Sequence, residues 1–501
     1  MRVFVRSAVS VALAAAVVGG MITGCDSADS GTAAKTPDWC PTVAGHTVDC
    51  GVVQRPLVAG QPDLGTVDVG YAMVRRTETG TPAAGTVLPN PGGPGVPLIS
   101  HAAEAVSVAQ ELISDHDLLL IDARGTGVSG PMNCGVDNER FEYGTREEQL
   151  ASVESCGKQL GARAAGYTTA ATADDFDAVR EQLGIDKVVP YGISYGTYLM
   201  PVYAQRHPDH VQSMVLTGAY PAEFDRLQRP NAEAVSLTLQ RICERSRACD
   251  GPTAVADLTT VAARLREHPV EIQQPHPMLL DEGKLANLVF EAASTNVGAQ
   301  PKELTALGLL PSALHAGARG DDSGLKEFVQ SAMGGTGYEN MNAYITVACN
   351  DYATLWSMNA PVPQRQQQFD AALAKVPATL GAFSARGWED GQRDGGDICV
   401  RWPGIANHER PDQVRTAMPD VPVLVLSGDL DAITPDANGK LVAAKFARST
   451  FVSVPNTGHV PDLEPSGCVV SMIAGFVRTG AVASTECVAT VPPIVVRPVT
   501  N

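Results

Sequence analysis

Ser194 stands between two glycines in Gly192-Ile193-Ser194-Tyr195-Gly196, where an apolar run ends and a helix-like segment begins. A serine hydroxyl is a weak nucleophile. It needs a base to take its proton and a carboxylate to orient that base. The chain supplies both farther on. Asp429 and Asp431 follow the apolar run at 421–427, and His459 follows the run at 450–454. Of the ten histidines, only His459 sits in a loop after a final core strand. A serine, an acid and a histidine in this order, each just past an apolar run, point to acyl transfer through a seryl intermediate.

Such chemistry also needs two preorganised N–H donors for the developing oxyanion. The residue after the serine, Tyr195, supplies one. The second is expected from Gly93 in Pro91-Gly92-Gly93-Pro94-Gly95, a loop too rich in glycine and proline to be helical. Pro94 has no N–H to give.

The elements that position these residues alternate. Residues 65–76 alternate polar and apolar types as an antiparallel strand would, and 86–88 is a second strand. A helix-like segment follows at 98–114. Residues 117–122 form a short, continuously apolar run, the pattern of a central parallel strand covered on both faces. A helical pattern at 172–183, the elbow strand, a helix at 195–206 and a strand at 213–218 continue the alternation, which predicts a doubly wound α/β sheet. From 221 to 420 the alternation stops and most segments read as helices. That insertion is expected to form a cap over the strand C-termini, where open α/β sheets bind ligands. The organisation predicted is core at 61–220, cap at 221–420 and core again at 421–501.

Two competing signals are weak. Gly125-Thr126-Gly127-Val128-Ser129-Gly130 satisfies a dinucleotide fingerprint directly after a strand, but Pro131 and Asn133 stand where the fingerprint needs a helix. Ser155-Cys156-Gly157-Lys158 and Ser323-Gly324-Leu325-Lys326 match half of a penicillin-binding signature, and no Lys-Thr-Gly completes it. No cofactor is expected.

The amino terminus reads as a targeting segment. Arg2 and Arg6 precede an apolar stretch of small residues that closes on Ile22-Thr23-Gly24-Cys25. This resembles a lipoprotein signal at 1–24 with lipid attached to Cys25, followed by a tether across 25–60. It implies export and anchoring to a membrane. Eleven cysteines fit an oxidising compartment, and setting Cys25 aside leaves an even number. Proximity in sequence suggests Cys40–Cys50, Cys134–Cys156, Cys243–Cys249, Cys349–Cys399 and Cys468–Cys487. Cys-x-x-Cys is absent and the spacings are irregular, so no metal site is expected. A formal charge of −18 argues against a nucleic-acid partner.

Pro-Gly-Gly-Pro-Gly at 91–95, Asp-x-Arg-Gly-Thr-Gly-x-Ser at 122–129, Gly-x-Ser-Tyr-Gly-Thr at 192–197 and the loops of Asp431 and His459 resemble the prolyl iminopeptidase and tripeptidyl aminopeptidase family of serine hydrolases. The resemblance implies an α/β-hydrolase fold with a helical cap. It favours Asp431 over Asp429 as the acid, through the spacing Gly428, Asp431, Thr434, Pro435. It also implies an exopeptidase that acts on peptides with a free N-terminus. A carboxylesterase or lipase with the same triad and an inactive binding lipoprotein are the alternatives. The substrate α-ammonium would have to meet a carboxylate in a partly dry pocket. Glu223, Asp225 and Asp351 are the candidates.

Overall fold

The computed structural model describes residues 36–500 except 293, 296, 334–338 and 406–407. The expected signal segment and Cys25 lie outside the described residues. Residues from Pro37 onward form one compact unit. Its centre is an eight-stranded sheet of β1 (Val48–Pro56), β2 (Thr66–Val74), β3 (Gly85–Asn90), β4 (His116–Ile121), β5 (Val189–Ile193), β6 (Met214–Thr217), β7 (Val423–Gly428) and β8 (Ser449–Val454). In space the order is β1-β2-β4-β3-β5-β6-β7-β8. β1 and β2 are antiparallel to their neighbours, and the pairs from β4 to β8 are parallel.

Continuously apolar strands end up central because both faces of each are covered. β4 is buried along its whole length. Leu119 and Ile121 pack with Phe176, Val179, Tyr198 and Leu199 of the helices Thr169–Gln182 and Gly196–Arg206. Leu118 and Leu120 face the opposite layer, with Ile99, Val469, Ile473 and Phe476. The period of two along one strand therefore builds two cores.

β1 corrects the expected tether at 25–60. Val48–Pro56 pairs along its length with β2, and Cys40–Cys50 staples its start. Its apolar signal is interrupted by Asp49 and Gly51, and its outer edge faces no strand among the described residues, so alternation alone does not reveal it. The remaining four pairings, Cys134–Cys156, Cys243–Cys249, Cys349–Cys399 and Cys468–Cys487, are also present. Such bridges form and persist in oxidising, extracytoplasmic settings. Among the described residues no helix is long and apolar enough to cross a membrane.

Between β6 and β7 the chain is mainly helical, with a core of its own that includes Leu239, Leu258, Val261, Leu314, Phe328 and Trp388. The segment between β4 and the helix Thr169–Gln182 joins this layer. Phe141, Val153 and Cys156 pack with Tyr344, Ile345 and Trp402 of the later insertion. Two insertions, one before the elbow and one after it, thus build the cover over the C-terminal strand ends.

Candidate active site

Ser194 follows β5 directly and has φ 55°, a left-handed value that is uncommon for a residue with a side chain. The surrounding bonds hold it there. Ser194 N–H donates to Thr217 O at 3.0 Å. Its own carbonyl accepts from Thr197 N at 2.8 Å and Thr197 Oγ1 at 2.6 Å. The flanking glycines are required by close approach. A Cβ on Gly196 would lie 2.5 Å from Asn90 O, and one on Gly192 would lie 2.8 Å from Thr197 N. The chain therefore turns from strand to helix with Ser194 at the tip.

Asp431 and His459 meet at the ends of β7 and β8. His459 Nδ1 lies 3.0 Å from Asp431 Oδ2 and 3.0 Å from Thr434 Oγ1. Asp431 also accepts from Ile433 N at 2.8 Å, Thr434 N at 3.1 Å and Thr434 Oγ1 at 2.5 Å. Both residues are buried. Four donors fix the carboxylate, and with Nδ1 carrying the hydrogen, His459 Nε2 is left as the acceptor. The ring packs over Gly218, where a Cβ would lie 3.2 Å from His459 Cε1. Gly218 follows Thr217, the residue whose carbonyl holds Ser194, so β6 is the spacer between serine and histidine. Ser194 Oγ and His459 Nε2 have no hydrogen-bond partner among the described residues. The structure joins acid to base and leaves base and serine unjoined, as is common before substrate arrives.

The glycine loop packs on this tip. A Cβ on Gly92 would lie 2.7 Å from Ile193 O and 2.8 Å from Ser194 Cβ. Gly92 N–H is used, donating to Asn90 Oδ1 at 3.1 Å. The N–H groups of Gly93 and Tyr195 meet no acceptor among the described residues. Asp122, just before the segment that mimics a dinucleotide fingerprint, ties that segment to the chain that follows this loop. Asp122 accepts from Leu98 N at 2.6 Å, Ile99 N at 2.9 Å and Val128 N at 2.9 Å. Arg124 is buried against Asp175 and the carbonyls of Leu57 and Gly166.

Sequence comparison agrees with this architecture. Residues 85–248 match the family described as alpha/beta hydrolase fold, and residues 385–488 match the family described as TAP-like protein. The chain has the α/β-hydrolase fold. It is similar to the tripeptidyl aminopeptidase of Streptomyces coelicolor, 29% identical over 36% of each chain. It is also similar to serine protease Hip1 of Mycobacterium tuberculosis, 31% identical over 38% of each chain. These alignments span little more than a third of those relatives' length. The putative hydrolase YuaR of Escherichia coli is 23% identical over 82% of this chain and 81% of its own. Among solved structures, the proline iminopeptidase of Mycobacterium smegmatis aligns with a TM-score of 0.42 at 16% identity, covering 86% of this chain and 98% of the other.

Beside the hydrolase elbow lies a cavity of about 1400 Å³. Its wall includes Asn90, Pro91 and Ile193 on the elbow side and Thr295 and Val297 on the histidine side; Ser194 and His459 are not among its lining residues. Thr295 and Val297 belong to the segment that holds the histidine loop, since His459 N donates to Ser294 O at 3.0 Å and Gly458 N to Val297 O at 2.9 Å. One part of the wall is apolar, with Leu98, Ala105, Val108, Leu118 and Leu304. Another part is anionic. Arg393 contacts Glu142 at 2.8 Å, Glu339 at 3.1 Å and Glu291 at 3.3 Å, and its guanidinium lies 4.5 Å from the centre of the Tyr344 ring. Lys284 lines the same wall and donates to Glu142 O, so two cations stand among the three carboxylates. Burial pushes the Glu291 carboxyl up to about 8, against the pull of Arg393, and burial likewise raises Glu339.

The three carboxylates expected to meet a substrate ammonium each have partners of their own away from this cavity. Glu223 pairs with Lys445. Asp225 accepts from Arg229 at 2.5 Å and from Leu227 N at 2.9 Å. Asp351 is fully buried, with Thr169 N at 2.5 Å and His408 Nε2 at 2.8 Å. None of them lines the cavity. Glu142, Glu291 and Glu339 come from three separate segments, all of them in the insertions, so no local motif marks them. The readable signal was only that 221–420 should cover the strand ends.

One further set, Asp177, His207 and His210, brings three potential ligand atoms together. Arg180 Nε already occupies Asp177 Oδ1 at 2.6 Å, and His210 Nδ1 shares that oxygen at 2.7 Å. A cation there would face a guanidinium, so the set is an ion-pair network that satisfies itself.

Proposed function

We propose that this chain is an exported serine exopeptidase that removes short peptides or single residues from free peptide N-termini through an acyl-enzyme. The observation that carries the reading is the Asp431–His459 pair at 3.0 Å, set over Gly218 beside the Ser194 elbow. In this mechanism Ser194 Oγ attacks the scissile carbonyl carbon as His459 Nε2 takes its proton. Asp431 holds the imidazole in the required tautomer and supports the imidazolium that forms. The N–H groups of Tyr195 and Gly93 stabilise the oxyanion. His459 then gives its proton to the leaving amine, and water, activated by the same histidine, releases the acyl group. The α-ammonium of the substrate binds among Glu142, Glu291 and Glu339, where an ionised carboxylate accepts a charge-assisted hydrogen bond from it. The relatives named tripeptidyl aminopeptidase support this substrate class. The amino-terminal segment is proposed to direct export and to leave Cys25 lipidated, holding the enzyme at the outer face of the membrane. Mass spectrometry of the mature N-terminus tests that part.

The deciding experiment compares turnover of tripeptidyl, aminoacyl and N-blocked amides with short p-nitrophenyl esters, with Ser194→Ala as control. Faster turnover of unblocked amides is expected. Turnover of esters alone would make the chain a carboxylesterase. Activity that survives in Ser194→Ala would remove the mechanism, and an inert wild type that also resists a fluorophosphonate would make it a binding lipoprotein.

A further inference from the structure

Asp429 competes with Asp431 in sequence for the acid role, and the structure gives it different partners. Arg245, near the end of the cap helix Arg229–Ser246, holds both of its carboxylate oxygens, with NH1 at 3.1 Å from Oδ1 and NH2 on Oδ2. Asp429 Oδ1 also accepts from Asn456 N–H at 2.8 Å. Arg245 NH1 reaches on to Asn456 Oδ1 at 2.9 Å, closing a three-residue ring of bonds. From the same helix, Arg241 donates to the Asp429 carbonyl.

Asn456 is the turn residue of the histidine loop. It has φ 62°, a backbone state that asparagine tolerates better than most residues. Its Nδ2 donates to Val491 O at 2.7 Å. Three residues later the chain reaches His459. Two backbone bonds tie the loops together at this level, Asp429 N to Val454 O at 3.0 Å and Leu430 N to Thr457 O at 2.9 Å. A Cβ on Gly428 would lie 2.5 Å from Thr457 O, so the acid loop and the histidine loop have no slack between them. On the cap side, the Cys243–Cys249 disulfide closes the helix end that carries Arg245. The Asp429 side chain is 8% exposed and that of Arg245 27%, so the carboxylate is shielded and the guanidinium only partly so. A guanidinium fork on a carboxylate in such surroundings fixes direction as well as distance.

We propose that Arg245, Asp429 and Asn456 form a positioning bridge through which the cap sets the place of His459 relative to Ser194. This rests on His459 being the general base. The Arg245 side chain bonds to neither Ser194 nor His459 among the described residues. It acts by holding the left-handed turn at Asn456, and through it the imidazole that the structure leaves unjoined to Ser194. Loss of the bridge misplaces the base while leaving the cavity wall unchanged, since none of the three residues lines the cavity.

The test uses the full mature chain and two readouts: the rate at which a fluorophosphonate labels Ser194, and kcat and KM on an unblocked peptide amide across pH. Arg245→Gln is expected to slow labelling and lower kcat by about 10–100-fold, the scale of a misplaced catalytic group, with KM within about threefold of wild type. The pH dependence of kcat/KM changes as well, because the base sits in an altered setting. Arg245→Lys restores only part of the rate, since a point charge cannot span both oxygens of Asp429 and Asn456. Asn456→Gly keeps the turn and removes the side-chain acceptor, so it should show a smaller loss of the same kind even if Arg245→Gln fails to fold. Folded Arg245→Gln and Asn456→Gly proteins with wild-type labelling, kcat and pH profile would overturn the bridge, and so would a change confined to KM. If His459→Ala labels at the wild-type rate, it is the base assignment that fails.

Discussion

Asp429 and Asp431 stand two residues apart on one loop and serve opposite partners: Asp431 accepts from His459 and Thr434, whereas Asp429 accepts from Arg245 and Asn456. The spacing puts one carboxylate toward the imidazole and the other toward the cap.

Asp431→Asn should therefore lower kcat by about 10⁴, because an amide no longer fixes the tautomer of His459. Asp429→Asn should lose far less and resemble Arg245→Gln. Steady-state kinetics on both folded variants checks this, and the assignment fails if Asp429→Asn is the more damaging.

Gly92→Ala tests the contact between the glycine loop and the elbow. Gly92 has φ 101°, and its added Cβ would lie 2.8 Å from Ser194 Cβ. The variant should be destabilised by more than about 1 kcal/mol and should lose most fluorophosphonate labelling. Gly130 is the matched control. It has φ 70°, but its nearest neighbour would be Val67 Cγ2 at 3.6 Å. Gly130→Ala should lower Tm and leave labelling intact.

Much of the core was legible because β4, β6 and β7 are buried along their whole length. Residues 117–122 announce β4 by apolarity alone, and Gly192, Gly196 and Gly428 stand where an added Cβ would collide with neighbouring backbone. The candidate helix at 98–114 shrinks to Ala102–Val108, preceded by a 3₁₀ turn at Ile99–His101. The loop that begins it is pinned by Asp122, a contact across sequence that periodicity cannot register. The anionic wall was illegible for the same reason. Glu142 precedes the elbow by some fifty residues and meets Glu291 and Glu339 only after two insertions pack together. Glu223 and Asp225 were the nearer choices along the chain, and each is paired with a cation, Lys445 and Arg229 respectively.

Asp462 gives a stability prediction. It is buried three residues after His459, accepts from Tyr191 Oη at 2.5 Å and leaves Oδ1 without a partner among the described residues. Burial pushes its carboxyl up to about 6, against the hydrogen bond from Tyr191. An unfolded chain releases that proton near pH 4. Between roughly pH 4 and 6 the folded state holds a proton that the unfolded state has lost. This group's contribution is thus fully present below pH 4 and is lost as pH rises through about 6, a swing on the order of 3 kcal/mol. Asp462→Asn should remove that slope and make the protein more stable relative to wild type at pH 7 than at pH 4. Urea unfolding at the two pH values with disulfides intact decides it, and a pH-independent difference refutes the assignment.

The anionic wall predicts how binding of an unblocked peptide follows pH. Glu291 is held near 8 by burial, so below that pH it is largely neutral and offers an ammonium little charge. Raising the pH ionises it, and KM for an unblocked peptide should fall. Above about pH 8 the peptide α-amino group, with an ordinary pKa of roughly 7.7–8.0, loses its own charge and KM should rise again. The same profile measured with an N-acetylated peptide should be flat in this range, because it brings no cation to the wall. Glu291→Gln should raise KM for the unblocked peptide about 10–100-fold, the cost of one charge-assisted hydrogen bond, and abolish the falling limb while kcat changes little. Glu142→Gln and Glu339→Gln should act in the same direction, since each removes a carboxylate from the wall around Arg393. If all three variants discriminate unblocked from acetylated peptides as wild type does, the ammonium is bound elsewhere.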